Sequence, residues 1–431
     1  MQLILPHSIM KQTLIAVFTL LFLSAPVFAE PEQWPRFRGP NGQGISTATG
    51  LPTQWSATEN IAWKTPIPGE GWSSPVIWNN HIFLTSATDG GRECRVIAVD
   101  RRNGEILWNT AVFTQELTSR NPRNSRATPT PVTDGERVYA LFPNGHFVAL
   151  DFEGNIVWIN PFEFYSGHGL GTSPMLYEDL LITAINPSNR VQGDERFLGW
   201  QRPWDQSFLL AIDKNTGEER WRTMRGMTRI SHSVPVVIQV DGKDQILSMV
   251  GDVVQGFEPA TGELIWTVRS SGEPAVPTPA IGEGGMVFAS TIGPILGIRT
   301  DGKGDVTNTH VVWQQGQNRP LVSSFLYVNS VLYAADNNGS FAAINPANGE
   351  ILWTRRLEGG RPDSSPIYAD GKIYITTHEG ITTILRPNAD RTVAAEVVAT
   401  NDIGAMVQAT FAIAGNQIFL RTDNELWCIG R

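Results

Sequence analysis

Arginine, histidine and tryptophan recur at one kind of position in this chain, just upstream of a series of Ser/Thr–Pro steps. They are Trp72, Arg123, Arg126, His168, Arg229, His232, Arg319, Arg361 and Asp363, followed by Asn401, Asp402 and Gln408. Guanidinium groups gathered in one place attract carboxylates and other anions. The same arginines could instead hydrogen-bond backbone carbonyls around a water-filled hole. A second group, Arg190, Arg196, Trp200, Arg202 and Trp204, sits in the stretch Asn186 to Ser207. Aromatics mixed with arginine suit recognition of a peptide, a sugar ring or a protein edge, or a lid packed on its own scaffold.

Other chemistry finds no support. The histidines past residue 30 (His81, His146, His168, His232, His310 and His378) include no close-spaced pair, and Cys94 and Cys428 form no C-x-x-C. Metal binding by His or Cys is therefore not expected. Asp301-Gly302-Lys303-Gly304-Asp305 lacks the following glycine and distal glutamate of a calcium loop. No G-x-S-x-G elbow, P-loop or H-E-x-x-H is present. The glycines Gly167, Gly169 and Gly171 precede a strand rather than a helix, so they read as a turn.

The elements that must position these residues are repeats. Trp63, Trp108, Trp158, Trp221, Trp266, Trp313 and Trp353 are spaced by 45, 50, 63, 45, 47 and 40 residues. Most close an 11-residue phrase: AVDRRNGEILW from Ala98, AIDKNTGEERW from Ala211, GFEPATGELIW from Gly256 and AINPANGEILW from Ala343. The copy ending at Trp158 is one residue short, and the one from Gly297 to Trp313 is stretched. A second phrase, Ser/Thr then Pro/Phe then an apolar pair, opens the units at Ser74, Thr130, Ser173, Thr278, Ser324, Ser365 and Thr410. Val234-Pro235 departs from it at the hydroxyl. That makes eight units.

Within the sixth unit, Phe325–Val328, Val331–Ala335, Ser340–Ile344 and Ile351–Arg355 read as strands, with Asn-Ser and Asn-Gly pairs at the turns. Four antiparallel strands repeated eight times predict an all-β, eight-bladed β-propeller. The last unit supplies only three strands, and Asn60–Lys64 is expected to complete it, closing the ring and removing two sheet edges. Cys94 and Cys428 would then lie across that seam, either as a disulfide or as buried thiols.

Composition sets the outer limits. Net charge is −9, which argues against nucleic acid or an anionic membrane as partner. Residues 1–29 carry Lys11, the apolar run Leu14–Leu23 and Val27-Phe28-Ala29, the pattern of a cleavable signal peptide. Residues 30–58 then form a lead-in segment and 59–431 the propeller, in a periplasmic or secreted protein with no lipid-accepting cysteine and no stable membrane insertion.

The 11-residue phrase resembles the tryptophan-docking motif of the pyrroloquinoline quinone (PQQ)-like repeat propellers, in the quinoprotein alcohol dehydrogenase-like superfamily. Trp34-Pro35-Arg36-Phe37-Arg38-Gly39-Pro40 is similar to the lead-in of exported members of that group. The resemblance implies a Trp that locks adjacent blades. It offers two functional directions: the propeller lipoprotein that assists outer-membrane β-barrel assembly, and PQQ-dependent dehydrogenases. The latter carry vicinal cysteines and a calcium site, and neither pattern occurs here. The expectation is an exported, non-catalytic binding or assembly scaffold, monomeric, without cofactor, whose partner is a cell-envelope protein or an anionic small ligand. A PQQ- and calcium-dependent dehydrogenase, or a polyanion- or sugar-binding propeller, is the alternative.

Overall fold

The computed structural model describes residues 33–430 apart from 118–119, 163–165, 167, 188–202, 204, 273–275 and 292. Its described residues form eight antiparallel sheets arranged as the blades of a β-propeller. Blade 1 runs from Val76 to Thr114, blade 2 from Val132 to Asn160, blade 3 from Met175 to Met224 and blade 4 from Val236 to Arg269. Blades 5, 6 and 7 span Ala280–Gln315, Leu326–Arg356 and Ile367–Asp402. Blade 8 takes Ala412–Ala414, Gln417–Arg421 and Glu425–Ile429 from one end of the chain and Ile61–Pro66 from the other. In that last pair Trp63 faces Cys428 and Pro66 faces Glu425, so the ring closes as the repeat count requires.

The 11-residue phrase can be explained position by position. Its third residue caps the turn that follows: Asp100 Oδ1 accepts from Arg102 N at 2.8 Å, and Asp213 Oδ1 from Asn215 N at 2.7 Å. Its fourth residue offers a carbonyl to the tryptophan of the preceding blade. Trp63 Nε1 donates to Arg101 O at 3.1 Å, Trp108 to Phe152 O at 2.7 Å, Trp158 to Lys214 O at 3.0 Å and Trp221 to Pro259 O at 3.1 Å. Its glycine lies under that same indole. At Gly262, where φ is +74°, a Cβ would stand 2.4 Å from the Trp221 ring, so only glycine allows both the turn and the ring above it. Glycine and tryptophan recur together because they meet across the blade seams, Gly104 under Trp63, Gly154 under Trp108, Gly217 under Trp158, Gly262 under Trp221 and Gly349 under Trp313.

Blade 4 breaks the pattern for a visible reason. The stretched copy contains Gly304–Asp305, which adds a fifth, parallel strand beside Leu264–Arg269, pairing Gly304 with Trp266. Trp266 is thereby fully buried and donates to Gln245 Oε1 at 2.9 Å, within its own blade.

Between blades the core is a series of apolar layers, the largest joining blades 7, 8 and 1 with Trp34 and Trp55 of the lead-in. Cys94 and Cys428 are both buried free thiols. Burial pushes the Cys428 thiol up to about 12 and that of Cys94 also upward, which leaves both uncharged and inert.

Candidate functional site

Seven of the eight innermost strands follow a Ser/Thr–Pro/Phe step beside the central channel, and the eighth follows Val234-Pro235. The backbone amide at that step donates to the hydroxyl of the next blade: Ser74 N to Thr130 Oγ1 at 3.0 Å, then Thr130 N to Ser173 Oγ at 2.9 Å. The series resumes with Thr278 N to Ser324 Oγ at 3.0 Å, Ser324 N to Ser365 Oγ at 3.1 Å and Ser365 N to Thr410 Oγ1 at 2.9 Å. Thr410 N closes it on Ser74 Oγ at 3.0 Å. The belt is interrupted at blade 4, where Val234 has no hydroxyl to offer. There Thr172 Oγ1 donates to Ser233 O at 2.9 Å and Gly171 N to His232 Nδ1 at 3.1 Å.

The lead-in closes one end of this channel. Trp34 exchanges two backbone hydrogen bonds with Ile77 of blade 1. Arg36 Nη2 donates to Pro235 O of blade 4 at 3.1 Å, Arg38 Nη2 to Phe325 O of blade 6 at 2.5 Å, and Gln43 Nε2 to Pro279 O of blade 5 at 3.4 Å. Gly44 O and Ser46 N bond Tyr368 of blade 7. Phe37, between the two arginines, lines the base of the cavity that remains. The channel is therefore a cup of about 320 Å³ with Phe37 at its floor, the hydroxyl belt in its wall and loop residues at its rim.

The rim residues expected from the sequence divide into groups. Trp72, Arg123, His168, His232, Asp363 and Gln408 line the cup. Arg126 lies instead in a separate cleft with Glu70 and Arg120. Arg229 is held against Asp252 and donates to Gly272 O at 2.8 Å. Arg361 stands 3.3 Å from Asp363, whose Oδ2 also meets His378 Nδ1 at 2.7 Å. Arg319 is solvent-facing and outside the cup lining. Asn401 sits in an outer strand, where its side chain holds Trp55 N at 3.0 Å and Thr53 O at 3.1 Å. It serves the lead-in, because the outer strand packs at a blade seam. Asp402, next to it, accepts from Gly404 N at 2.7 Å. Arg190, Arg196, Trp200, Arg202 and Trp204 lie outside the described residues.

Two histidines mark one side of the rim. The rings of His168 and His232 stack at 6.3 Å between centroids. Burial lowers His168 to about 4, and burial with the neighbouring His168 lowers His232 to about 3. Both are neutral at pH 7, consistent with His232 Nδ1 accepting the Gly171 amide. Burial raises the Asp423 carboxyl.

Sequence reasoning missed the floor, the belt, His378 and the pair Asn121 and Asn124 that also line the cup. A hydroxyl repeated at one place in seven units was the available signal for the belt. Asn121 and Asn124 carry no repeat signal.

The cup does not fit a calcium-bound quinone. Among the described residues Asp363 is the one carboxylate in its lining, and it is engaged by Arg361 and His378, whereas Ca²⁺ takes six to eight oxygen ligands. Among the described residues no cluster of three or more His, Cys, Asp or Glu could hold a metal.

Comparison with known proteins agrees with the architecture. The family described as outer membrane protein assembly factor BamB, a PQQ-repeat family, matches residues 43–190, 205–307 and 304–431. No curated protein matches the sequence. Among solved structures, BamB from Moraxella catarrhalis is similar at a TM-score of 0.58 and 15% identity, covering 86% of this chain and 97% of that one. The quinohemoprotein alcohol dehydrogenase from Comamonas testosteroni is similar at a TM-score of 0.62 and 10% identity, covering 93% and 81%. The computationally designed Ika8 protein is similar at 0.57 and 9%, covering 85% and 98%. At these identities the structural likenesses speak for the fold alone. With the family match running through nearly the whole propeller, eight closed blades and a phrase whose tryptophan and glycine meet at the seams, the chain belongs to the PQQ-repeat family described by BamB.

Proposed function

We propose that the protein is an exported, non-catalytic binding and assembly scaffold of the cell envelope, presenting the rim of its cup to a protein partner. The observation that carries this reading is the difference between the two ends of the channel. One end is closed by the lead-in, while the other gathers the connections between blades around an open mouth. A ring whose neighbouring blades are tied by tryptophan–carbonyl and amide–hydroxyl bonds suits a platform that holds loops still. The exposed Met227 and Arg123 add apolar and basic contact points on that rim. Family membership supports the reading, because its printed description is of an assembly factor. Among the described residues no helix is long and apolar enough to cross a membrane. Residues 1–29 have the composition of a cleavable export signal, which would deliver the propeller to the periplasm or beyond.

The test uses a photo-crosslinking residue placed in vivo at Met227 on the rim or at Thr49 beside the floor. The expected result is one envelope protein captured from Met227 and absent from Thr49. Equal capture from both positions would refute a rim-directed scaffold. So would saturable uptake of PQQ with Ca²⁺ that lets the purified protein reduce a dye with an alcohol.

A further inference from the structure

The hydroxyl belt leaves one valence of each member unused. Ser74, Thr130, Ser173, Ser324, Ser365 and Thr410 each accept a backbone amide from the preceding blade. A hydroxyl has one proton to donate as well as lone pairs to offer. Among the described residues, none of these six O–H groups donates to a protein acceptor, and all six residues line the cup. One lone pair of each oxygen is taken by an amide, and each hydroxyl keeps its proton free to turn toward the cavity, so the belt can present a circle of donors.

Beneath that circle lie two cations without anions. Arg38 is fully buried and Arg36 is 8% exposed. Their hydrogen bonds go to carbonyls, Pro235 O for Arg36 and Gln43 O and Phe325 O for Arg38. Arg36 Nε, Arg38 Nε and Arg38 Nη1 are buried without a partner. Among the described residues no carboxylate forms an ion pair with either. Burial pulls Arg36 down to about 10 and Arg38 to about 9, so both remain charged at neutral pH. A buried charge with no counter-ion is costly, and these two stand in a chain of net charge −9. They flank Phe37, the floor of the cup. At the rim Arg123 adds a third cation, and Asp363 is balanced by Arg361 at 3.3 Å. His168 and His232 add no negative charge.

Donors in the wall, uncompensated cations below the floor and a free-facing cation at the mouth describe the complement of a compact anion. We infer that the cup binds one small oxyanion, a carboxylate or a sulfate- or phosphate-like group, near the channel axis above Phe37. Its oxygens accept from the hydroxyl belt, and its charge is balanced by Arg36, Arg38 and Arg123. Val234 and the absence of Thr278 from the lining leave blades 4 and 5 without a donor, so the anion sits off the exact axis, toward the arc from blade 6 through blade 8 to blade 3. This inference does not depend on the rim-directed partner proposed above, since the anion site lies inside the cup and is read out without one.

The test titrates the purified propeller, lead-in included, with sulfate and separately with acetate in low-salt buffer, followed by calorimetry. One saturable site per chain is expected, with the two anions competing and the tighter one identifying the preferred class. Arg123→Gln is expected to weaken binding about tenfold, a change of about 1.4 kcal/mol, with the melting temperature unchanged. Val234→Thr supplies a seventh hydroxyl to the cup lining and is expected to tighten binding several-fold. Crystals soaked in selenate are expected to show an anomalous peak near the axis between Phe37 and the belt. No saturable heat at tens of millimolar anion would overturn the inference. A selenate peak confined to the outer surface would do so too. If Val234→Thr raises the melting temperature and leaves affinity untouched, the belt is structural only and the site does not exist.

Discussion

The two ends of the channel are built from the same eight strand starts, yet they are treated in opposite ways. At the floor, the carbonyls of Pro235, Pro279 and Phe325, each the second residue of its step, accept from side chains of one segment, Arg36, Gln43 and Arg38. At the rim, the residues before each step differ from blade to blade, and several pair locally: Arg229 with Asp252, Arg361 with Asp363. Proline explains part of the contrast, because it has no N–H and can only offer its carbonyl. Carbonyls from three blades are satisfied by a single threaded segment, whereas a varied rim is free to differ without unfastening the ring.

The sharpest way to break this comparison is at the floor. Trp34→Ala removes a fully buried indole packed against Gly39 and is expected to cost about 3–5 kcal/mol of unfolding free energy. Denaturant melts would check it, and a loss below 1 kcal/mol would mean the lead-in is an ornament. The rim should respond to pH instead. His168 and His232 have folded values near 4 and 3, below the unfolded value near 6.5. Below that unfolded value the unfolded chain takes up protons that the folded one refuses. Stability is therefore full above about pH 6.5 and declines as the pH falls toward 4 and then 3, by up to about 1.4 kcal/mol per pH unit for each histidine. Melts between pH 7 and pH 4.5 on the wild type and on His232→Gln would test this, the variant giving the shallower slope. The smallest effect belongs to the belt between the two ends. Val234→Thr gives Ser173 N a hydroxyl acceptor and should stabilise by about 1 kcal/mol, read as a raised denaturation midpoint.

What the sequence revealed followed from repetition. The tryptophan spacing and the glycine at a fixed place in the phrase led to eight four-stranded blades, and the sixth unit's strands fall within a residue of their expected bounds. The closing strand near Trp63 was legible because the last unit was one strand short. The floor was not, since Arg36 and Arg38 occur once and reach carbonyls 199 and 287 residues away. No local pattern encodes such a contact. The rim was half legible. Chain direction pointed to Trp72, Arg123, His168, His232 and Asp363, which line the cup, but it could not tell a channel-facing arginine from one, like Arg229, that turns aside to a neighbouring acid. Asn401 shows the same limit: its position in an outer strand was hidden by a blade whose third turn lacks the usual phrase.

The mixed make-up of blade 8 has a consequence for how the molecule comes into being. Ile61–Pro66 finds its partner about 360 residues later in Glu425–Ile429, and pairings at such separation form slowly. Until they do, seven complete sheets stand as an open arc with an unsatisfied edge at each end. The arc is a temptation for other chains during synthesis, and the final snap of one short strand decides whether it becomes a ring or an aggregate.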